Sequence, residues 1–195
     1  MGGLRDSKKE ALRAKLFDAA LQRFRSDGYE ATSVAAICKQ VGIAKGTFFN
    51  HFPTKADVLA EWYQQIMDAS YAATKARYPD GTGDALIAMA VQAVSVARAE
   101  PDLWHAKHAY APLSAAIQEA ETSTDAAVKA EATRLIARGI KQSELPASTD
   151  PEILADLYVA LVTGTIREWL NTGGKFDLDE RIQQRILALL TFVAT

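Results

Sequence analysis

Thr32-Ser33-Val34-Ala35-Ala36-Ile37-Cys38-Lys39-Gln40-Val41-Gly42-Ile43-Ala44-Lys45-Gly46-Thr47-Phe48-Phe49-Asn50-His51-Phe52-Pro53-Thr54-Lys55 is the stretch on which the fold turns. Val34, Ile37, Val41 and Ile43 recur at helical spacing, and Gly42 stands where two short helices need a left-handed turn. Thr32 or Ser33 caps the first helix, which ends near Val41, and a second helix covers Lys45 to His51. Phe48 and Phe52, four apart, share its inner face. Its outer face then offers Lys45, Thr47, Asn50 and His51, compact polar groups suited to a major groove. Helix, turn and helix in so short a span form a unit whose second helix stands proud of the body.

Upstream, a helix from about Lys8 to Ser26 carries Leu12, Leu16, Phe17, Ala20, Leu21 and Phe24 on one face, with Gly28 as its stop. Downstream, Thr54 caps a helix with Asp57 in its first turn, expected to run to about Arg77. After the Tyr78–Gly83 loop, Asp84 caps a helix to about Ala99, and Pro101 and Pro112 each allow a fresh start. A longer helix is expected from Thr124 to Gln142, another from Asp150-Pro151-Glu152 to Leu170, and a last one from Asp179 to Val193. No alternating strand pattern interrupts them. The expected fold is all-α: a three-helix helix-turn-helix domain at residues 1–55, then a larger helical domain at 56–195.

The net charge of −2 conceals an asymmetry, because Met1–Lys55 holds ten Lys/Arg against five Asp/Glu and the remainder twelve against nineteen. A basic front on an acidic body points to a polyanion partner for the front alone. A composition 49% apolar and 24% charged is that of a globular chain. No apolar run reaches the roughly 18 residues of a membrane span, and Met1–Asp6 has neither the apolar core of a leader nor a myristoylation pattern. The lone Cys38 forms no internal disulfide and reads as a buried hydrophobe, so a cytoplasmic protein is expected.

With Phe24 and Gly28-Tyr29 before it and Ala56–Leu59 after it, the stretch resembles the DNA-binding domain of TetR-family, AcrR-like regulators. The resemblance covers about the first sixty residues, and its motif is longer than that of a generic helix-turn-helix. It implies a homodimeric repressor of double-stranded operator DNA whose larger domain answers to a small ligand. Lys45 and Lys55, at helix N-termini, are expected on phosphates, as is Thr32 or Ser33. Thr47 and Asn50 are the candidates for base edges, and His51 for a phosphate. Two residues depart from the family pattern: Ala44 replaces a capping Ser, and Phe49 replaces a Tyr whose hydroxyl would reach phosphate.

Large rings, most with polar tips, Trp62, Tyr63, Tyr71, Trp104, His105, His108 and Tyr110, together with the thioether of Met67, are the candidates for an apolar ligand pocket, against ordinary core packing as the alternative. The last two helices are apolar on more than one stripe, and Ala160 and Gly164 permit close approach of another helix. A dimer interface through Leu157, Leu161, Gly164, Ile186 and Leu190 is therefore expected, the alternative being two central helices of a monomer. Enzymatic readings are thin. His105 and His108 lack a clear third ligand, Gly81-Thr82-Gly83 lacks a nucleotide fingerprint, and no nucleophile motif occurs. No catalytic residue, metal or cofactor is expected, and the competing reading is a helical ligand-binding or scaffold protein without specific DNA binding.

Overall fold

A computed structural model of the chain describes residues 3–75 and 78–193. Nine α-helices and one short 3-10 turn make up the regular structure among these residues, with no strand. They are α1 (Gly3–Asp27), α2 (Val34–Val41), α3 (Lys45–Phe49), α4 (Lys55–Lys75), α5 (Thr82–Ala99), α6 (Pro101–Tyr110), the 3-10 turn Ala111–Leu113, α7 (Ala115–Lys141), α8 (Pro151–Asn171) and α9 (Leu178–Val193). The end expected near Arg77 for the fourth helix lies outside the described residues.

The chain divides into two compact units, one of residues 1–63 and 102–118, the other of residues 64–101 and 119–195. In the first, Leu16, Ala20 and Phe24 of α1, Ile37 of α2, Phe48 and Phe52 around α3, and Val58 and Leu59 of α4 are all buried. These are the positions that helical spacing assigns to inner faces, so periodicity alone places most of this core. In the second unit α9 packs along α5 and α8. Leu86, Met89, Val94, Leu135, Ile136, Ile182 and Ile186 are buried there, and the buried Tyr158 hydroxyl donates to the Leu86 carbonyl at 2.9 Å.

Helix starts follow their caps, with two corrections. Asp150 accepts from the N–H groups of Glu152 and Ile153, as its place before Pro151 demands. Asp84 does not cap α5; Gly81 holds that position, and the Glu144 carboxylate accepts the Thr82 N–H at 2.6 Å from far along the chain. That interaction holds the Glu144 carboxyl below the usual carboxylate range. The second correction concerns α7, which begins at Ala115 and not at Thr124. No breaker lies between those residues, and Thr124 is buried within the helix.

The expected dimer residues fall into two groups. Leu157 is half exposed, Leu161 partly so, and at Gly164 no atom lies within 4 Å of where a Cβ would stand. Ile186, by contrast, is fully buried within its own subunit, and Leu190 reaches the backbone at Gly83. One step of about 100° along the helix separates Ile186 from Leu187, which is half exposed. Ile186 therefore leaves the interface assignment.

Candidate DNA-binding site

The reader is built from its caps. Ser33 adopts extended backbone (φ −93°, ψ 148°) and its hydroxyl accepts the Ala36 N–H at 3.1 Å, which starts α2. Gly42 ends it at φ 78°, where its N–H and that of Ile43 both reach the Cys38 carbonyl, at 2.9 and 3.0 Å. A left-handed residue closing a helix on an orphan carbonyl favours glycine. Ala44 then opens α3 with no side-chain cap, the loss expected from its methyl group. α3 is only five residues long; Asn50 is its C-cap, and His51 follows it and does not extend it.

So short a helix needs anchors. Phe48 and Phe52 are fully buried, with ring centroids 5.7 Å apart. The Arg13 guanidinium lies 4.1 Å over the Phe52 ring, donates to the His51 carbonyl and pairs with Glu61. One arginine of α1 thus ties the end of α3 to α4. Outward from this anchor stand exposed Lys45, Gly46 and Asn50, partly exposed Thr47 and His51, and Phe49 with 47% of its surface free. Burial, with Lys9 and then Arg13 close by, pushes the His51 imidazole below its ordinary pKa. His51 is accordingly a neutral donor at neutral pH.

Two expected contacts are turned inward. Thr32 is buried and its hydroxyl donates to the Gly28 carbonyl at 2.8 Å, so the cap role falls to Ser33 alone. Lys55 donates to the carbonyls of Tyr29 and Thr32, the latter at 3.0 Å, and its ammonium lies 4.0 Å over the Tyr29 ring. Burial pushes its pKa down, against the opposing pull of Glu30. The ammonium closes the α1–α2 loop onto the start of α4. At that start Asp57 accepts from the N–H and hydroxyl of Thr54, half of the expected capping arrangement.

A residue absent from the sequence reading also bears on the site. Lys9 lies on the exposed first turns of α1, close enough to His51 to depress its protonation. Its signal was the basic run Lys8-Lys9, legible as charge but not as position. Cys38 is buried and its thiol pushed up by burial, as a packing residue would be.

The candidate ligand residues are divided. Trp62, Tyr63, Trp104, His105, His108 and Tyr110 belong to the unit that holds the reader, and Met67 and Tyr71 to the other. Trp104 meets Trp62 and Tyr63 edge-on, with ring centroids 6.4 and 5.4 Å away, and the buried Lys107 ammonium lies 4.3 Å from the Tyr63 centroid. His105 is exposed on the opposite side of α6. Tyr110 stacks edge-on to Tyr29 at 4.9 Å, and its hydroxyl donates to Glu30 at 2.6 Å. Among the described residues no three His, Cys, Asp or Glu side chains are placed to hold a metal, and no helix is long and apolar enough to cross a membrane.

Comparison with known proteins bears on this geometry. Residues 16–62, from the middle of α1 to the first turns of α4, match the family described as bacterial regulatory proteins, tetR family. The chain is 24% identical over 186 residues to the HTH-type transcriptional regulator TtgR of Pseudomonas putida, covering 90% of this chain and 89% of that one. It is 37% identical over 75 residues to the HTH-type transcriptional regulator TcmR of Streptomyces glaucescens, 38% of this chain and 33% of that one. In fold it is similar to Thermus thermophilus FadR, a TetR family transcriptional repressor solved with lauroyl-CoA, at a TM-score of 0.76 and 21% identity, over 92% and 93% of the two chains. The helix-turn-helix anchored by Phe48 and Phe52 lies within the residues that match the tetR family, and the full-length relative named above, similar to this chain in sequence, is a transcriptional regulator.

Proposed function

We propose that the chain is a cytoplasmic repressor that binds operator DNA as a homodimer and releases it when a small, largely apolar ligand occupies the helical domain. The observation that carries the reading is the outward face of α3, with Lys45, Thr47 and Asn50 free while Phe48, Phe52 and Arg13 fix it from behind. Ser33, Lys45 and His51 are assigned to phosphates and Thr47 and Asn50 to base edges. The division of labour falls after Lys55, between a reader at 1–55 and a responding domain at 56–195.

The homodimer rests on α8 and α9. Ile153, Leu157, Ala160, Leu161 and Gly164 leave apolar or small surface along α8, and Leu187 and Phe192 do so on α9. Such a surface on two neighbouring helices suits a four-helix contact between two copies. For the ligand, two proteins of similar fold were solved with acyl thioesters: FadR from Bacillus subtilis with stearoyl-CoA and Thermus thermophilus FadR with lauroyl-CoA. A long-chain acyl-CoA, whose acyl tail would be the apolar part that enters the helical domain, is therefore the first compound to try.

The test is fluorescence polarisation with labelled duplexes from the DNA flanking the chain's own coding sequence, a scrambled competitor and added lauroyl-CoA. Competitor-resistant binding of two subunits per duplex, reversed by lauroyl-CoA, is the expected result. Binding that any duplex competes away would count against an operator there, and binding indifferent to lauroyl-CoA would count against that ligand.

A further inference from the structure

Trp104 and Lys107 stand three apart on α6 and so share one of its faces. Both are buried, at 5% and 4% exposure. Trp62 and Tyr63 of α4 meet the Trp104 ring edge-on, and the Lys107 ammonium lies 4.3 Å from the Tyr63 centroid and 5.0 Å from that of Trp104. The indole Nε1–H of Trp104 is buried and donates to no acceptor among the described residues. Buried N–H groups are nearly always satisfied, because desolvation without a partner is costly. A lysine is likewise seldom buried to this depth, and ring faces offset only part of the cost of taking its charge out of water. This face of α6 thus sets a charged donor and a neutral donor side by side within an aromatic wall.

We propose that Trp104 and Lys107 hold the acidic head of the ligand, so that the effector of this chain is a carboxylate on an alkyl or aromatic body. An ionised carboxylate only accepts, and its two oxygens can take the indole N–H and the ammonium together. The rings of Trp62, Tyr63 and Trp104 supply apolar surface for the body beside the head. A thioester or an alcohol would offer the same donors a neutral oxygen; a carboxylate adds the charge that a buried ammonium attracts. His105, exposed on the other side of α6, takes no part. The assignment rests on the reading of the helical domain as ligand-responsive and names the chemistry of its ligand.

The test is calorimetry of the full-length protein near neutral pH with acids paired to alcohols of the same skeleton: decanoate and decanol, phenylpropionate and phenylpropanol, indoleacetate and indole-ethanol. At least one acid should bind about tenfold or more tighter than its alcohol, the worth of one hydrogen bond between charged groups. Lys107→Met should abolish that preference and keep alcohol binding. Trp104→Phe, which removes the N–H and keeps a ring, should reduce it about threefold to tenfold, and circular dichroism checks that both variants are folded. With isotope-labelled indole nitrogens, the bound acid should shift the nuclear magnetic resonance signal of Trp104, identified among the chain's three tryptophans by its loss in Trp104→Phe. A panel in which no acid is preferred, a preference that survives in Lys107→Met, or an unmoved Trp104 signal overturns this inference alone. An acid that binds as expected but leaves operator DNA in place keeps the subsite and overturns the reading of the domain as one whose ligand releases DNA.

Discussion

At the scale of single residues, a lysine at a helix start faces a choice between phosphate and protein carbonyls, and Lys55 takes the carbonyls. Two hydrogen bonds from a charged donor and one ring contact are at stake. A hydrogen bond to a charged group is worth about 1.5–3 kcal/mol, less where solvent reaches it, as it does here. Lys55→Ala is therefore expected to lower the urea midpoint while leaving the salt slope of DNA binding nearly unchanged. A slope shallower by about one ion at unchanged stability would return Lys55 to the phosphate contacts. His51 gives a second expectation, with the opposite emphasis. Burial and the charges of Lys9 and Arg13 depress its pKa in the free protein, and a bound phosphate would raise it again. Binding then takes up a proton, so affinity should rise as pH falls through and below 6.5, the ordinary histidine value. His51→Gln should flatten that dependence; a variant with the wild-type pH profile would clear His51 of the role.

Among the elements, α3 is the least secure, with five residues and no cap on Ala44. Ala44→Ser supplies the missing acceptor and is expected to stabilise the reader by about 0.5–2 kcal/mol, measured as a shift in the unfolding midpoint. An unchanged midpoint would mean that the anchors from Arg13, Phe48 and Phe52 already determine the helix. How much was legible at this scale follows from what a sequence pattern records. Capping and turn chemistry are local, so Gly42 and Asp150 could be read before any fold was known, and the cap of α2 narrowed to Thr32 or Ser33. Thr32 and Lys55 could not, because their partners are backbone carbonyls that only the folded loop presents. Periodicity also tells how many faces of α9 need covering without telling which neighbour covers each. Ile186 went to α9's inner side and Leu187 to its outer side, a difference of one helical step. The Thr124 start of α7 failed for the complementary reason, since a threonine permits a cap but does not break a helix.

For the whole molecule, the proposed homodimer would bring two readers to the DNA through the apolar row on α8 and the adjoining face of α9. Gly164→Trp places a ring in space that is empty within one subunit and is expected to split or distort the dimer without unfolding it. Ile186→Ala acts the other way: a buried isoleucine is lost at about 2–5 kcal/mol, and the subunit count at moderate concentration stays the same. Sedimentation and thermal unfolding of the two variants separate these cases. A Gly164→Trp protein with unaltered mass and DNA affinity would put the interface elsewhere. In the proposed homodimer a modest rearrangement would suffice for release, because the spacing of two readers must match about one DNA turn, roughly 34 Å, or a multiple of it.

On the proposed function, the outward face of α3 reads bases in operator DNA. The most direct test of that reading is the affinity of Asn50→Ala for every single-base variant of a selected operator, set beside the wild type at one salt concentration. Loss of discrimination at one base pair per half-site, by about 1–3 kcal/mol with other positions unchanged, is the predicted result. A uniformly weakened protein whose base preferences match the wild type would contradict it.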